Sequence, residues 1–516
     1  MKLTRRAFLL GLAGLAAGCA SRVAAPVSTG RDPFTLGVAS GYPHPHGFVL
    51  WTRLAPHPLA PGGGMPPAPV PVTWEVGADE AFARVLARGE AMALPALAHA
   101  VHVEVDGLEP GRWYHYRFHA GDAVSPIGRT RTAPAPDEAV SRLALAFASC
   151  QHYEHGHYGA YHHMAAEPLD LVVHLGDYIY EYSGLAANKV RSHGAGEAVS
   201  LEDYRRRYAL YRLDPALQAA HAAFPWLVTW DDHEVDNDYA GDRSQDRAAP
   251  QAFLARRAAA YQAYYEHMPL PRTARPSGPS LRLYTQAGFG SLVRFFVLDG
   301  RQYRHPQPCS GFGRGGGRTV RAEQCPERLD PARSMLGATQ ERWLLEGLRR
   351  TRARWNLIAQ QTMMAQADRQ PGPDRAFWTD SWDGYPAARR RLLEHLAAQG
   401  VSNPIVLSGD IHAFAVSTLK LDFDDPSSTP VATELVTTSI SSRGFSWRRI
   451  QEMVADNPHI QFANSRFRGY TTLELTSDRA VARLKALHDV TDPQSPIRTL
   501  AEFTVENGRP GPRQQA

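Results

Sequence analysis

The sequence predicts an α/β protein with a smaller all-β domain ahead of it, and three observations carry that expectation. Residues 33–134 break into short segments of period-two alternation, residues after 140 alternate compact apolar runs with helical stretches, and Thr132-Ala133-Pro134-Ala135-Pro136 stands between them as a proline-stiffened linker. At 516 residues the chain exceeds one ordinary domain of roughly 150. A hydrophobic fraction of 43% with 21% charged residues excludes wholesale disorder, coiled coil and collagen. Lys and Arg number 56 against 52 Asp and Glu, a formal +4 in which no nucleic-acid-binding surface is evident.

Residues 1–30 read as an export signal: Lys2, Arg5 and Arg6 precede an apolar stretch over 7–17 and then small residues. That stretch is about half the ~20 residues a membrane-spanning helix needs. Thr4-Arg5-Arg6-Ala7-Phe8-Leu9-Leu10 resembles a twin-arginine signal, which implies the twin-arginine export machinery as a partner and a periplasmic or cell-envelope location. Ala16-Ala17-Gly18-Cys19 resembles a lipobox, with Cys19 as an acylated anchor; the alternative is cleavage near Val23-Ala24-Ala25, giving a soluble periplasmic protein. Loss of residues 1–18 removes three cations and no acid, taking the formal charge from +4 to +1.

The first domain is expected over 31–134. Phe48-Val49-Leu50-Trp51, Val72-Thr73-Trp74-Glu75-Val76, Val101-His102-Val103-Glu104-Val105 and Trp113-Tyr114-His115-Tyr116-Arg117-Phe118 read as strands of a β-sandwich, and the turn Leu108-Glu109-Pro110-Gly111 resembles immunoglobulin and fibronectin-III modules. The second is expected over 140–506. Buried strands are predicted at 143–148, 169–175, 226–230, 293–298, 355–359 and 404–407, helices at 252–268 and 339–353, and a hairpin around Ser477-Asp478. The tail from Asn507 reads as frayed. Cys309 and Cys325 flank a Gly/Arg-rich loop that an oxidising compartment would close with a disulfide, leaving Cys150 unpaired.

Four polar clusters each follow the end of an apolar run: Ser149-Cys150-Gln151-His152, Gly176-Asp177-Tyr178-Ile179-Tyr180, Asp231-Asp232-His233-Glu234 and Gly409-Asp410-Ile411-His412. Ligands bind outside the carboxyl ends of strands in α/β sheets, so four such clusters point to one site. Carboxylates suit hard cations, imidazole and phenolate suit iron or zinc, and thiolate suits a softer or redox-active ion. A centre of two or three cations activates water and clamps a phosphoryl group without a protein nucleophile. In keeping with that, there is no Gly-x-Ser-x-Gly elbow, and Gly313-Arg314-Gly315-Gly316-Gly317-Arg318 lacks the ending of a P-loop. Taken singly, the acids also read as helix caps, Cys150 as a small hydrophobe, and His233 or His412 as structural histidines.

At these residues the chain resembles the calcineurin-like metallophosphoesterases, and among them the PhoD-type alkaline phosphatases and phosphodiesterases. The resemblance is carried by Phe34-Thr35-Leu36-Gly37-Val38-Ala39-Ser40-Gly41, His174-Leu175-Gly176-Asp177-Tyr178-Ile179-Tyr180-Glu181, Trp230-Asp231-Asp232-His233-Glu234-Val235-Asp236-Asn237, Leu298-Asp299-Gly300-Arg301-Gln302-Tyr303-Arg304 and Leu407-Ser408-Gly409-Asp410-Ile411-His412. It implies a β-sandwich core in α-β-β-α layers, and hydrolysis of phosphate esters by a metal-activated hydroxide. It also implies a ferric ion on Cys150 and Tyr180 together with calcium ions. Asp177 would bridge, Asp232, Asp410 and His412 would make further metal contacts, and Asp231 and Asn237 would complete the set. His233 would protonate the leaving group or stabilise phosphoryl oxygens. Arg301 reads either as a bidentate holder of a phosphate oxygen or as a structural ion-pair partner, and Asp383 and Tyr385 as pocket residues. Related sequences extend the range to phospholipase-D-like and teichoic-acid phosphodiesterases; a non-catalytic envelope-binding lipoprotein is the reading from another class.

Overall fold

The computed structural model describes residues 31–370 and 372–515. The expected signal segment and Cys19 lie outside the described residues.

Two large sheets face one another. The first has ten strands, in the order Arg509–Gln514, Ile497–Glu506, Arg479–Leu487, Gly469–Thr476, Arg142–Ala148, Leu171–His174, Pro225–Val228, Val38–His44, Gly47–Arg53 and Ala100–Val105. The second has seven: Thr285–Phe289, Val293–Val297, Trp355–Ala359, Pro404–Ser408, Pro430–Val436, Phe414–Lys420 and Ile460–Asn464. The middle of each sheet is parallel. Strand alternation decides which side chains meet. Leu143, Leu145, Phe147, Leu171 and Val173 pack onto Phe295, Val297, Leu357 and Leu407 between the sheets. The intervening Ala144, Ala146 and Ala148 are small, and against them sit Tyr161, Tyr204 and Tyr208 of the helices Gly159–Ala165 and Leu201–Arg212. On the far side, Phe296, Ile358 and Val406 meet Leu344 and Leu348 of the helix Gly337–Arg350, and Leu392 and Leu396 of the helix Pro386–Ala398. Burial on both faces is why the central strands read as continuous apolar runs rather than alternating ones.

The amino-terminal strands form a smaller sheet of Val70–Gly77, Val85–Ala93, Trp113–Ala120, Ala123–Val124 and Gly128–Arg131. In Trp113–Ala120 every second residue, from Tyr114 to Ala120, is buried. These residues pack on Val38, Phe48, Leu50 and Val103, so the predicted sandwich forms, with one difference from a free-standing module. One of its two layers is the end of the ten-stranded sheet, joined where Ser40 pairs in parallel with Pro225 and Gly41 with Trp226. A Cβ on Gly41 would stand 2.6 Å from the Trp226 carbonyl oxygen, so only glycine lets these strands approach.

The predicted helices appear as Pro250–His267 and Gly337–Arg350, and the predicted hairpin as Gly469–Thr476 with Arg479–Leu487. The tail differs from expectation. Arg509–Gln514 is not frayed but pairs with Ile497–Glu506 through a register shift between Thr504 and Glu506. Pro510 and Pro512 are tolerated there because an edge strand pairs on one side only. Cys309 and Cys325 form a disulfide, a closure worth about 3 kcal/mol by loop entropy. Among the described residues no helix is long and apolar enough to cross a membrane.

Candidate metal centre

The parallel strands of both sheets end on one edge, and the site stands there. Cys150 follows Arg142–Ala148, Asp177 follows Leu171–His174, Asp231 and Asp232 follow Pro225–Val228, and Asp410 and His412 follow Pro404–Ser408. The two sheets are stitched at this edge by a bridge between Ser149 and Ser439. A Cβ on Gly409 would fall 2.3 Å from Ser149 Oγ, and one on Gly176 would fall 2.4 Å from the Asp231 nitrogen. Glycines therefore let the four loops converge.

Two sets of donor atoms result, each with its members within 4.8 Å of one another: Cys150, Asp177 and His412 in one, and Asp177, Asp232 and His233 in the other. Asp177 belongs to both. Tyr180 joins the first, its hydroxyl donating to Asp177 Oδ2 at 2.8 Å and lying 3.2 Å from His412 Nε2. The His412 Nδ1 lies 2.6 Å from the Arg443 carbonyl oxygen, which assigns the proton to Nδ1 and leaves Nε2 as the free lone pair.

The backbone bears the cost of this convergence. Cys150, Asp177, Asp410 and His412 have φ values of 60°, 56°, 64° and 50°. Left-handed geometry costs a non-glycine residue roughly 1–3 kcal/mol and concentrates at functional sites. At the site Asp177 Oδ1 is buried without a hydrogen-bond donor, and Asp232 Oδ1 has only a 3.4 Å contact to Arg301.

The electrostatics follow from crowding acids in a dry place. Burial, reinforced by Asp232 and Asp231, pushes Asp177 well above the usual carboxylate range. Burial and the Asp231 and Asp232 carboxylates do the same to Asp410. Burial, then Asp177, raises the Cys150 thiol, and burial raises the Tyr180 phenol. Burial holds His412 down to about 3, so its imidazole is neutral and fit to ligate. Asp231 is pushed up to about 6 by burial against the opposing pull of Arg301. For Asp232 burial is outweighed by Arg301 and His233, which hold it down to about 2. For His233, burial alone would lower the pKa. Glu181, whose Oε2 lies 2.8 Å from Nδ1, overrides it together with Asp232 and Asp177, and the pKa rises well above that of free histidine.

Arg301 stands in an ion-pair arrangement. It is fully buried, with Nε on Asp231, guanidinium nitrogens 2.8 and 2.9 Å from Asp380, and a further contact of 3.4 Å to Asp232. Asn237 lies in the same turn as Asp232, its backbone N–H donating to Glu181 Oε1 at 2.8 Å. Asp383 is held by Arg389 at 2.7 Å and lines an apolar pocket beside Ile411. Tyr385 is turned away, donating to the His305 carbonyl at 2.6 Å.

Two contributors stand inside or beside the motifs without a role assigned from sequence. Glu234 accepts the backbone N–H groups of Asp177, Tyr178 and Asp231 at 3.0, 2.6 and 2.8 Å, and so pins two ligand loops to each other. Its place next to His233 was the only signal. Ser442 Oγ lies 2.7 Å from the Cys150 carbonyl oxygen and 2.8 Å from Tyr180 Oη, its single proton donated to one or the other; nothing in its local sequence marks it.

Residues 145–484 match the family model of the PhoD-like phosphatases, and residues 18–134 match that of the PhoD-like phosphatase N-terminal domain. The chain belongs to the PhoD-like phosphatase family. It is 46% identical to alkaline phosphatase D of Bacillus subtilis (strain 168), over 99% of this chain and 88% of that protein. It also superposes on a solved PhoD structure with a TM-score of 0.90 at 46% identity, over 94% of this chain and 92% of the other. As a PhoD-like phosphatase the protein is a phosphoric ester hydrolase, which sets aside the non-catalytic lipoprotein reading.

Proposed function

We propose that this phosphoesterase is metal-dependent and exported. Cys150, Tyr180 and His412 would hold a ferric ion, Asp177 would bridge, and Asp232, Asp410 and the neighbouring Asp231 and Asn237 would hold calcium. The reading is carried by Asp177, which stands within ligand reach of Cys150 and His412 on one side and of Asp232 on the other and keeps a buried oxygen lacking any hydrogen-bond donor, while the protonated His233 beside it takes no part as a ligand. The donor chemistry fits: thiolate and phenolate favour a ferric ion, and a carboxylate-rich neighbour favours a hard cation. So does the electrostatics, since buried acids that hold one another protonated are relieved by a polyvalent cation. When bound, such cations supply Lewis acidity, activating water and offsetting the charge that develops on the phosphoryl group.

The chain's own residues do the rest. Arg301 and Glu234 fix Asp231, Asp232 and Asp177 in place, so the phosphoryl group meets a preorganised set of donors. His233 carries its proton beside Asp177 and Asp232, with Nδ1 engaged by Glu181, which leaves Nε2 to protonate the departing alcohol oxygen. Helices on the outer faces of two packed sheets support reading 140–506 as a calcineurin-like core, to which 31–134 contributes a layer that continues its larger sheet. The Cys309–Cys325 disulfide supports an oxidising, extracytoplasmic location. The twin-arginine signal and the Cys19 anchor rest on the sequence of residues 1–30. Hydrolysis of p-nitrophenyl phosphate and of its bis-ester, each with and without EDTA, tests the reading. Chelation should abolish turnover and calcium should restore part of it; full activity in excess EDTA overturns metal dependence.

A further inference from the structure

Beside the metal-centre residues lies a pocket that the hydrolysis of a phosphate group does not itself require. Met363, Ala365, Ala367, Ile411, Ile450 and Met453 make its walls apolar. Ile411 belongs to the same turn as Asp410 and His412, so the pocket begins where the expected ligands end. The opposite wall comes from the helix Trp447–Asp456, which presents Ile450 and Met453 to it.

The charged part of the lining is one-sided. The Arg369 guanidinium lies 5.4 Å from the Phe445 ring and 5.0 Å from that of Trp378, and Arg449 lies 5.0 Å from Phe445. Among the described residues neither guanidinium forms an ion pair with a carboxylate. The lining carboxylate, Asp383, is already engaged by Arg389 and by the Ala367 N–H. An apolar slot with two guanidiniums at its side that hold aromatic rings rather than a carboxylate, next to a phosphoryl site, matches an anion with an apolar tail.

The geometry points to a subsite for the apolar substituent of a phosphate ester, a slender alkyl chain, with Arg369 and Arg449 favouring the phosphoryl anion beside it. This rests on the metal-dependent phosphoesterase reading above and deepens it by naming the substrate class. The cavity is small, ≈ 30 Å³, room for two or three water-sized groups at roughly 10–15 Å³ each, so a short alkyl chain fills it.

Calorimetric titration of the purified metal-containing protein with methyl-, butyl- and hexylphosphonate tests the assignment. Affinity should rise about fourfold for each methylene buried, so butyl should bind about 15- to 60-fold tighter than methyl, and hexyl should gain little more. Met453→Trp should bring that ratio close to one, Met453→Ala should extend the gain to hexyl, and Arg369→Gln should weaken all three alike. Affinities independent of chain length, or a ratio that Met453→Trp leaves intact, overturn the subsite. Turnover of the p-nitrophenyl esters is measured in parallel. Flat affinities in a protein that hydrolyses them sink the subsite alone, whereas no turnover of either ester sinks the reading beneath it as well.

Discussion

Replacing Arg301 by methionine separates two roles that its sequence context leaves open. The buried guanidinium touches Asp231, Asp232 and Asp380, so the variant keeps most of the volume and strips three buried carboxylates of their shared cation. Removing one partner of a buried ion pair costs about 3–5 kcal/mol. Unfolding entropy of about 2.1 cal/mol/K per residue makes each kcal/mol worth about 1 °C in a chain of this length. A fall in Tm of about 3–5 °C is therefore expected, read by calorimetry alongside steady-state kinetics with p-nitrophenyl phosphate. Activity should fall with it, through kcat, because Asp231 and Asp232 lose their orientation. A Tm unchanged within 1 °C together with a tenfold higher KM would refute this reasoning and make Arg301 a direct phosphate contact.

Glu234→Ala orphans three buried backbone N–H groups at about 1–3 kcal/mol each, a total of about 3–9 kcal/mol that approaches the whole stability of many proteins. Glu234→Gln keeps an acceptor for Asp177 and Asp231 and should recover most of it, as urea unfolding of the two variants would show. Glu181→Gln removes the carboxylate that keeps His233 protonated; kcat should drop about 10²–10⁴-fold with KM little altered, and equal kcat in the variant would remove His233 from proton transfer.

Much of the architecture was legible because it is written in side-chain patterns. Alternation in Trp113–Ala120 announces a half-buried strand, and the unbroken apolar run before Cys150 announces one covered on both faces. The four polar clusters at strand ends were equally legible, since each motif carries its own donor and the fold only has to bring the ends together. What stayed hidden depends on backbone atoms and distant partners. The pairing of Val38–His44 with Pro225–Val228 merges the amino-terminal layer into the large sheet across a long stretch of chain, and backbone hydrogen bonds leave no sequence mark. The tail strand hides behind Pro510, Gly511 and Pro512, residues that suggest a loop until an edge is available. Glu234 and Ser442 act on amides, a carbonyl and a phenol brought by other loops, and Arg301 could be assigned only once Asp380, seventy-nine residues on, was seen beside it.

Cys150 and Tyr180 are proposed to hold a ferric ion with calcium beside it. The most direct measurement is elemental analysis of the active protein, coupled to its visible absorption before and after Cys150→Ser. Iron and calcium are expected in the wild type, with a thiolate or phenolate charge-transfer band that the substitution shifts or bleaches. A colourless, fully active protein containing only zinc would contradict it.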